Sequence, residues 1–437
     1  MLNFKKNISN LKSKKLFLYA RLLWENFKTK FRSSNYLYFK KQLENSFKSQ
    51  FVKKENILIC TFSGTNYLIK MIDKLFYISL KIKGYNIFIL ECGKSLNLCQ
   101  ISDYTFFKTN NYKKHQSKIC NYCKKGFDID FNDNFFSKIN LKKKLKNVKF
   151  SEKKNILHNL NFSERKFDEI IYSAVIRFMG KSEINSNTKD LKSLKKEYVL
   201  SGLIFLYNFN EILKKYKITK MINHHGIYLP HGLILHLAIV RNIDCYTWHQ
   251  AYRNNSITVY KNDNQHNFFQ KLKKWDNFEF LTKNKIQIIN YLKSRFNQDH
   301  DWIKFQTTKY KKKILKQKNK QTYMMATNVS WDAQIHYKKN FFKNMEEFII
   351  YTIKYFEKNL EKKLIIRAHP GELLGQVPSS NKVEEIIKKK FTSVPPNVTI
   401  ISSSDDTNTY EVADKSDVVI VYASKIAIEL ASFGKPV

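Results

Sequence analysis

Three polar residues with the chemistry of a phosphate site follow an apolar segment near residue 364. The segment Leu364–Ile366 predicts a buried strand, and Arg367, His369 and Glu372 lie at its end or just beyond it. Arginine offers paired N–H donors that suit a phosphate group. Open α/β sheets bind their ligands at the carboxyl ends of the strands. We therefore expect Arg367 and His369 to contact a phosphate group, with Glu372 as a further contact.

A second polar group follows the apolar run Val418–Tyr422, which predicts a strand buried on both faces. Ser424 and Lys425 come next, and Glu429 lies one turn into the helix expected there. Serine is a favoured N-cap, and the free N–H groups at a helix start attract phosphate. Lys425 adds a positive charge. The alternative is an ordinary capped helix whose carboxylate faces solvent or pairs with a lysine.

Together the two segments resemble the C-terminal half of a glycosyltransferase with the GT-B fold. The patterns R-x-H-P-x-E at 367–372 and S…E…GKP at 424–436 are similar to those of bacterial capsule-polysaccharide and surface-glycan glycosyltransferases. The resemblance extends from about 323 to the end of the sequence and, more weakly, over 56–261. It implies two Rossmann-like α/β domains that face each other across a cleft. It also implies that Glu429 accepts hydrogen bonds from the ribose of the donor.

The resemblance implies transfer of a sugar from a nucleotide-sugar donor to a surface polysaccharide or a lipid-linked glycan. A sugar-nucleotide 2-epimerase of the same fold is the alternative enzyme. That family usually shows an S-G-G-x-x-E-E segment where this chain has Ala423–Glu429, which counts against it. No convincing D-x-D motif is present, so we expect transfer without a metal and no cofactor.

Hydrophobic patterning divides the chain into four parts. Residues 1–54 predict a basic helical extension that either packs on the protein or lies on an anionic membrane surface. Strand–helix–strand patterns at 55–261 predict a Rossmann-like domain, and a polar helical connector is expected at 262–320. Residues 321–437 predict a second α/β domain. The resemblance implies that the first is the acceptor domain and the second the nucleotide-sugar-binding domain. Because the sequence stops directly after a helix, we expect this second domain to be incomplete.

Histidines at predicted strand ends are candidates for the base that activates the acceptor hydroxyl. His225 follows one strand of the first domain, and His249 is expected directly after the next one. His231 lies close by in sequence, and Asp332 opens the second domain as a lesser candidate. A neutral imidazole can accept a proton at physiological pH. A structural role remains the alternative for each histidine taken singly.

Four of the six cysteines are candidates for a structural zinc site. Cys120 and Cys123 form a C-x-x-C pair, and Cys92 and Cys99 precede them in a lysine-rich stretch that we expect to be irregular. Four thiolates can hold zinc in a tetrahedral site. Free thiols are the alternative, since disulfide frameworks are rare in cytoplasmic proteins.

The formal net charge of +41, from 78 Lys and Arg against 37 Asp and Glu, favours anionic partners. Coding bias toward Lys, Asn, Ile and Phe would produce the same excess. RNA binding predicts basic and aromatic residues clustered on one module. Here lysine is spread along the whole chain, so we expect no nucleic-acid partner. The sequence shows neither an apolar run of membrane-spanning length nor a signal peptide, so we expect a cytoplasmic protein, peripheral at the membrane if the N-terminal helix binds lipid.

Overall fold

The computed structural model describes residues 55–102, 112–130, 137–141, 148–184, 188–253, 255–271, 278–297, 305, 308–310, 320–333, 341–374 and 377–437. Within these residues the chain is a mixed α/β protein with two separate sheets rich in parallel strands. This confirms the predicted α/β class. The basic extension predicted at 1–54 lies outside the described residues.

The first sheet contains six strands, and every one of its central pairings is parallel. The strands are β1 Asn56–Thr61, β2 Asn86–Glu91, β3 Lys138–Asn140, β4 Lys220–His224, β5 Asp244–Gln250 and β6 Ile257–Lys261. Their order is β3-β2-β1-β4-β5-β6, with parallel pairs β2–β3, β1–β2, β1–β4 and β4–β5. The carboxyl ends of β1, β2, β4 and β5 therefore meet at one edge of the sheet.

Seven helices accompany the first sheet in the described sequence. They are α1 Tyr67–Ile82, α2 Tyr112–Asp130, α3 Lys153–Asn159, α4 Glu164–Met179, α5 Lys189–Lys215, α6 His231–Val240 and α7 Gln265–Lys271. The start of α1 is capped by Asn66, whose side chain accepts a hydrogen bond from the Ile69 N–H. The prediction that the lysine-rich stretch around the cysteines is irregular was wrong in part, because α2 lies there. Helix α2 forms among many lysines because residues such as Ile119 and Phe127 are buried.

The second sheet contains four parallel strands. These are β7 Thr322–Ala326, β8 Lys363–Arg367, β9 Val398–Ile401 and β10 Val418–Val421, in the order β10-β7-β8-β9. Their helices are α8 Phe278–Lys283, α9 Lys285–Arg295, α10 Met345–Glu357, α11 Gly371–Leu374, α12 Val383–Lys390, α13 Thr409–Asp414 and α14 Ile426–Ser432.

Strand β10 differs from its prediction in burial. Val419 is fully buried, but Val418, Ile420 and Val421 are only half-buried. The reason is position: β10 pairs with β7 alone and forms an edge of the sheet as described. A continuous apolar run therefore did not guarantee burial on both faces.

The chain separates into two compact units, each built around one of the sheets. The first unit holds the described residues up to Phe178, with Ser186–His249 and Val259–Phe268. Two short segments, Met179–Asn185 and Gln250–Thr258, group with the second unit together with Phe269–Val437. The division at 261 and 320 and the incomplete second domain stay predictions. In the described part of the chain, no helix combines the length and the apolar character that crossing a membrane requires.

Candidate functional site

Arg367 ends β8 and is 2% exposed. Its guanidinium donates to three backbone carbonyls of the loop after β9: to Ser402, to Asp405 at 3.1 Å and to Thr407 at 3.0 Å. Burial lowers the pKa of Arg367, while Asp405 and Asp406 favour its charged form. Arg367 therefore fixes the shape of this loop and places a buried positive charge beneath it. Its predicted contact with donor phosphates stays a prediction.

His369 is held by its own turn. Its Nδ1 accepts a hydrogen bond from the Gly371 N–H at 2.9 Å, and its backbone N–H donates to the Thr327 hydroxyl at 3.1 Å. A Cβ at position 371 would lie 2.6 Å from this Nδ1, so only glycine permits the contact. Because Nδ1 accepts, the neutral ring carries its proton on Nε2.

Two cations act on the same imidazole. Burial first, then the charges of Arg367 and Lys425, lower the pKa of His369 to about 4, while Asp332 acts in the opposite direction. Arg367, His369, Lys425 and the exposed Asp332 are thus close enough to interact electrostatically at the carboxyl ends of β7, β8 and β10. A neutral histidine that donates from Nε2, with cations beside it, can hydrogen-bond an anion.

Glu372 is fully buried in the short helix α11. Its Oε1 accepts a hydrogen bond from the N–H of Val383, the first residue of α12, at 3.2 Å. Burial raises the pKa of Glu372 to about 7, although the Val383 N–H and the Ser403 side chain favour the carboxylate. The carboxyl group thus joins α11 to α12.

The segment after β10 differs from the predicted phosphate-binding helix start. Helix α14 has seven residues, its N-cap position is Lys425, and no side chain caps it. Ser424 contributes its carbonyl, which accepts from the Ala427 N–H at 3.2 Å. The prediction that Ser424 caps this helix was wrong, because the first helical turn begins one residue later than the sequence pattern indicated.

Glu429 lies in a network that the sequence did not reveal. Its Oε1 accepts from Arg295 Nε at 2.7 Å, and its Oε2 accepts from the Tyr410 hydroxyl at 2.5 Å. Lys425 Nζ lies 3.5 Å from Oε1 and 4.9 Å from the ring centre of Tyr252. The predicted ribose contact of Glu429 is untested, but both of its oxygens already have protein donors. No motif signals Arg295, which is 134 positions away.

The histidines of the first unit gather at the carboxyl ends of β4 and β5. His249 lies inside β5 rather than after it, since the strand continues to Gln250. Its ring stacks on that of His224, with ring centres 6.3 Å apart. The ring centre of His225 lies 4.5 Å from that of His224 and 4.8 Å from that of His231. The structure therefore brings together the three histidines proposed from sequence, with His224 among them.

Both ring nitrogens of His225 are engaged. Nδ1 accepts from the Ile227 N–H at 3.1 Å, and Nε2 lies 2.7 Å from Gln100 Oε1, to which it donates. The Gln100 amide in turn donates to the Ser63 hydroxyl at 2.6 Å. His225 has φ of +37°, a left-handed conformation that is rare for a residue with a side chain. Sequence reasoning missed Gln100 and Ser63, because neither lies in a recognisable motif.

His231 is oriented by Asn223. Its Nδ1 lies 2.5 Å from Asn223 Oδ1, and the Asn223 amide donates back to the His231 carbonyl at 2.9 Å. The donor atoms of His224, His225 and His231 lie within 4.8 Å of one another, a separation that a metal ion could bridge. Burial lowers the pKa of His231 to about 3 and the pKa values of His224 and His225 well below their usual value. All three rings are therefore neutral at pH 7.

The four cysteines proposed from sequence line one cavity of about 40 Å³ in the first unit. Cys92 and Cys99 lie on the loop after β2. Cys120 and Cys123 lie one turn apart on α2, not in the irregular stretch expected. Burial raises the pKa of Cys92 to about 12 and that of Cys120 to about 11.

Comparison with protein families bears on the predicted resemblance. Residues 225–437 match the family described as "Capsule polysaccharide biosynthesis protein". The match begins at His225 and includes every candidate residue of the second unit, which confirms the resemblance drawn from the R-x-H-P-x-E and S…E…GKP patterns. No curated protein sequence matches the chain.

Two solved structures are similar to this chain in part. One is KpsC, a beta Kdo 2,4 transferase of Thermosulfurimonas dismutans, with 9% identity and a TM-score of 0.33 over 50% of this chain and 67% of that chain. The other is a UDP-GlcNAc 2-epimerase of Neisseria meningitidis bound to UDP-GlcNAc, with 10% identity and a TM-score of 0.21 over 87% of this chain and 81% of that chain.

Proposed function

We propose that this chain is a glycosyltransferase that moves a sugar from a nucleotide-sugar donor to a surface polysaccharide or lipid-linked glycan. The observation that carries the proposal is the family match over 225–437, which contains a group of cations at the strand ends of the second sheet. Departure of a nucleotide from the sugar leaves negative charge on a phosphate. Fixed positive groups that stabilise this charge accelerate such a step.

The second unit supplies the donor site in this proposal. Lys425 and the Nε2–H of His369 bind the donor phosphates directly. Arg367 lies beneath the 402–407 loop and holds it in position through its N–H groups. Metal-independent transfer is part of the proposal: these groups provide the charge that a divalent ion supplies in other transferases.

The first unit supplies the base that accepts the proton of the acceptor hydroxyl. We assign this role to His249 in preference to His225, whose two ring nitrogens are already hydrogen-bonded. In this proposal His225 keeps the side chains around it in position. We further propose the GT-B arrangement of the two units, and a cytoplasmic protein whose basic N-terminal segment associates with the membrane surface.

Donor binding and transfer test the proposal separately. The full chain is titrated calorimetrically with CMP-, UDP- and GDP-linked sugars, and the best donor is tested with Lys425→Gln. Loss of one charge-assisted hydrogen bond, worth about 1.5–3 kcal/mol, should weaken binding roughly tenfold to a hundredfold. Lys390→Gln, at the exposed end of α12, is the matched control and should bind as the parent does.

His249→Gln should leave donor affinity unchanged and depress sugar transfer to a glycan acceptor. General acid–base catalysis contributes roughly a hundredfold to ten-thousandfold, so a loss in that range is expected. No binding of any of these sugar nucleotides by the folded full-length chain would contradict the proposal.

A further inference from the structure

Four half-buried cysteine side chains meet at one cavity in the first unit. They come from two elements, the loop after β2 and helix α2, and none of them forms a disulfide. The cavity of about 40 Å³ exceeds the roughly 10–15 Å³ that a water molecule needs, so it has room for an ion. We call this group the thiol cluster; it consists of Cys92, Cys99, Cys120 and Cys123.

The sulfur of Cys120 accepts a hydrogen bond from the Gln116 side-chain amide at 3.3 Å. Such a donor orients a sulfur and stabilises the charge of a metal-bound thiolate. The Gln116 carbonyl oxygen in turn accepts from the Ser102 hydroxyl at 2.6 Å, which holds the Gln116 side chain in place.

The charges around the cavity also favour a negatively charged centre. Lys94 and Lys124 line it, against the single carboxylate of Glu91. A zinc ion with four thiolates carries net negative charge, most of which the two lysines offset. Lys94 is fixed nearby by its hydrogen bond to Asn121 Oδ1 at 2.6 Å.

We propose that the thiol cluster binds one Zn²⁺ ion in a tetrahedral structural site. Four sulfur ligands are typical of zinc, and all four positions are then filled by protein. Each thiol that binds releases its proton to the solvent. Among the described residues it is the three histidines, not the four cysteines, whose donor atoms already lie close enough to hold an ion, so zinc binding here requires the loop and α2 to approach each other.

Zinc here would also act on the histidines at the strand ends. The loop between Cys92 and Cys99 continues directly into Gln100, which accepts the hydrogen bond of His225. Gly64, which packs against the backbone of Cys123, follows Ser63, which accepts from Gln100. The metal therefore tethers both partners of this hydrogen-bond chain to α2.

Elemental analysis of the purified full-length chain tests the proposal and should find about one zinc per chain. The variant Cys120→Ala/Cys123→Ala should lose this zinc. The matched control is Cys60→Ala/Cys245→Ala, which removes two buried cysteines of β1 and β5 that do not line the cavity; it should keep the zinc.

A second measurement uses the unaltered chain, so that misfolding of a variant cannot decide the outcome. A strong chelator should release the zinc and make four more thiols react with a thiol reagent. Cobalt added afterwards should give the absorption of tetrahedral Co²⁺–thiolate. A folded chain that holds no zinc and gives no such cobalt spectrum, that holds iron instead, or that contains a disulfide within the cluster would overturn the proposal.

Discussion

Removing the charge of Glu429 should destabilise the second unit strongly. Arg295 Nε lies 2.7 Å from Glu429 Oε1, and the two side chains are 2% and 6% exposed. Glu429→Gln keeps the shape and an acceptor for the Tyr410 hydroxyl, but leaves a buried guanidinium without its counter-charge. Removing one partner of a buried ion pair costs about 3–5 kcal/mol. The unfolding equilibrium should therefore shift by roughly a hundredfold to a few thousandfold.

The double variant Arg295→Met/Glu429→Gln distinguishes the ion pair from simple loss of packing. Replacing a buried pair by neutral groups of similar volume is often close to neutral. The double variant should therefore recover most of the stability that Glu429→Gln loses. A double-mutant cycle in urea, monitored by circular dichroism, gives the coupling energy. The control is Glu211→Gln, which breaks the exposed Lys214–Glu211 pair and should cost less than about 1 kcal/mol.

Donor affinity provides the second measurement on these variants. If Glu429 acts through Arg295 and Tyr410, the folded double variant should bind the donor with nearly the affinity of the parent. If instead Glu429 contacts the ribose, affinity should fall in both variants. A stability loss below about 1 kcal/mol for Glu429→Gln, or a double variant no more stable than the single one, would refute the reasoning.

Two further predictions concern the end of β8. Burial raises the pKa of Glu372 to about 7 from 4.5, with Glu384 acting in the same direction and Lys382 against it. The folded state then binds the proton of Glu372 more tightly than the unfolded state does. The contribution of this group to the free energy of unfolding therefore decreases as the pH rises from about 4.5 to about 7. Glu372→Gln should be more stable than the parent above pH 7, by up to about 3 kcal/mol, and equally stable near pH 4.5. Urea midpoints of the two proteins that differ by the same amount at both pH values would show that the titration of Glu372 is not the cause. Arg367→Ala should free the 402–407 loop to exchange its amide hydrogens and weaken donor binding about tenfold to a hundredfold, whereas unchanged calorimetric affinity in a folded variant would remove Arg367 from the donor site.

The sequence by itself determined the α/β class and most strand positions. The segments Lys363–Arg367 and Thr322–Ala326 could be predicted as strands because each contains a short run of apolar side chains, a pattern that is local in the sequence. The R-x-H-P-x-E pattern correctly predicted that His369 lies close to the end of a strand. The expectation that strand ends meet at one edge of the sheet correctly predicted that the histidines of the first unit lie together. The same local reasoning failed at α2 and at β10, where burial depends on the neighbours that the fold provides.

Tertiary structure alone decided which groups each candidate side chain contacts. Glu429 has a counter-ion because α9 packs beside α14, and Arg367 donates to a loop that lies 35–40 positions away. The engaged nitrogens of His225 depend on Gln100, which is 125 positions away. The roles of these side chains follow from distances of a few ångströms between remote segments. Hydrogen bonding and charge pairing act only at such distances, and a linear pattern does not contain them.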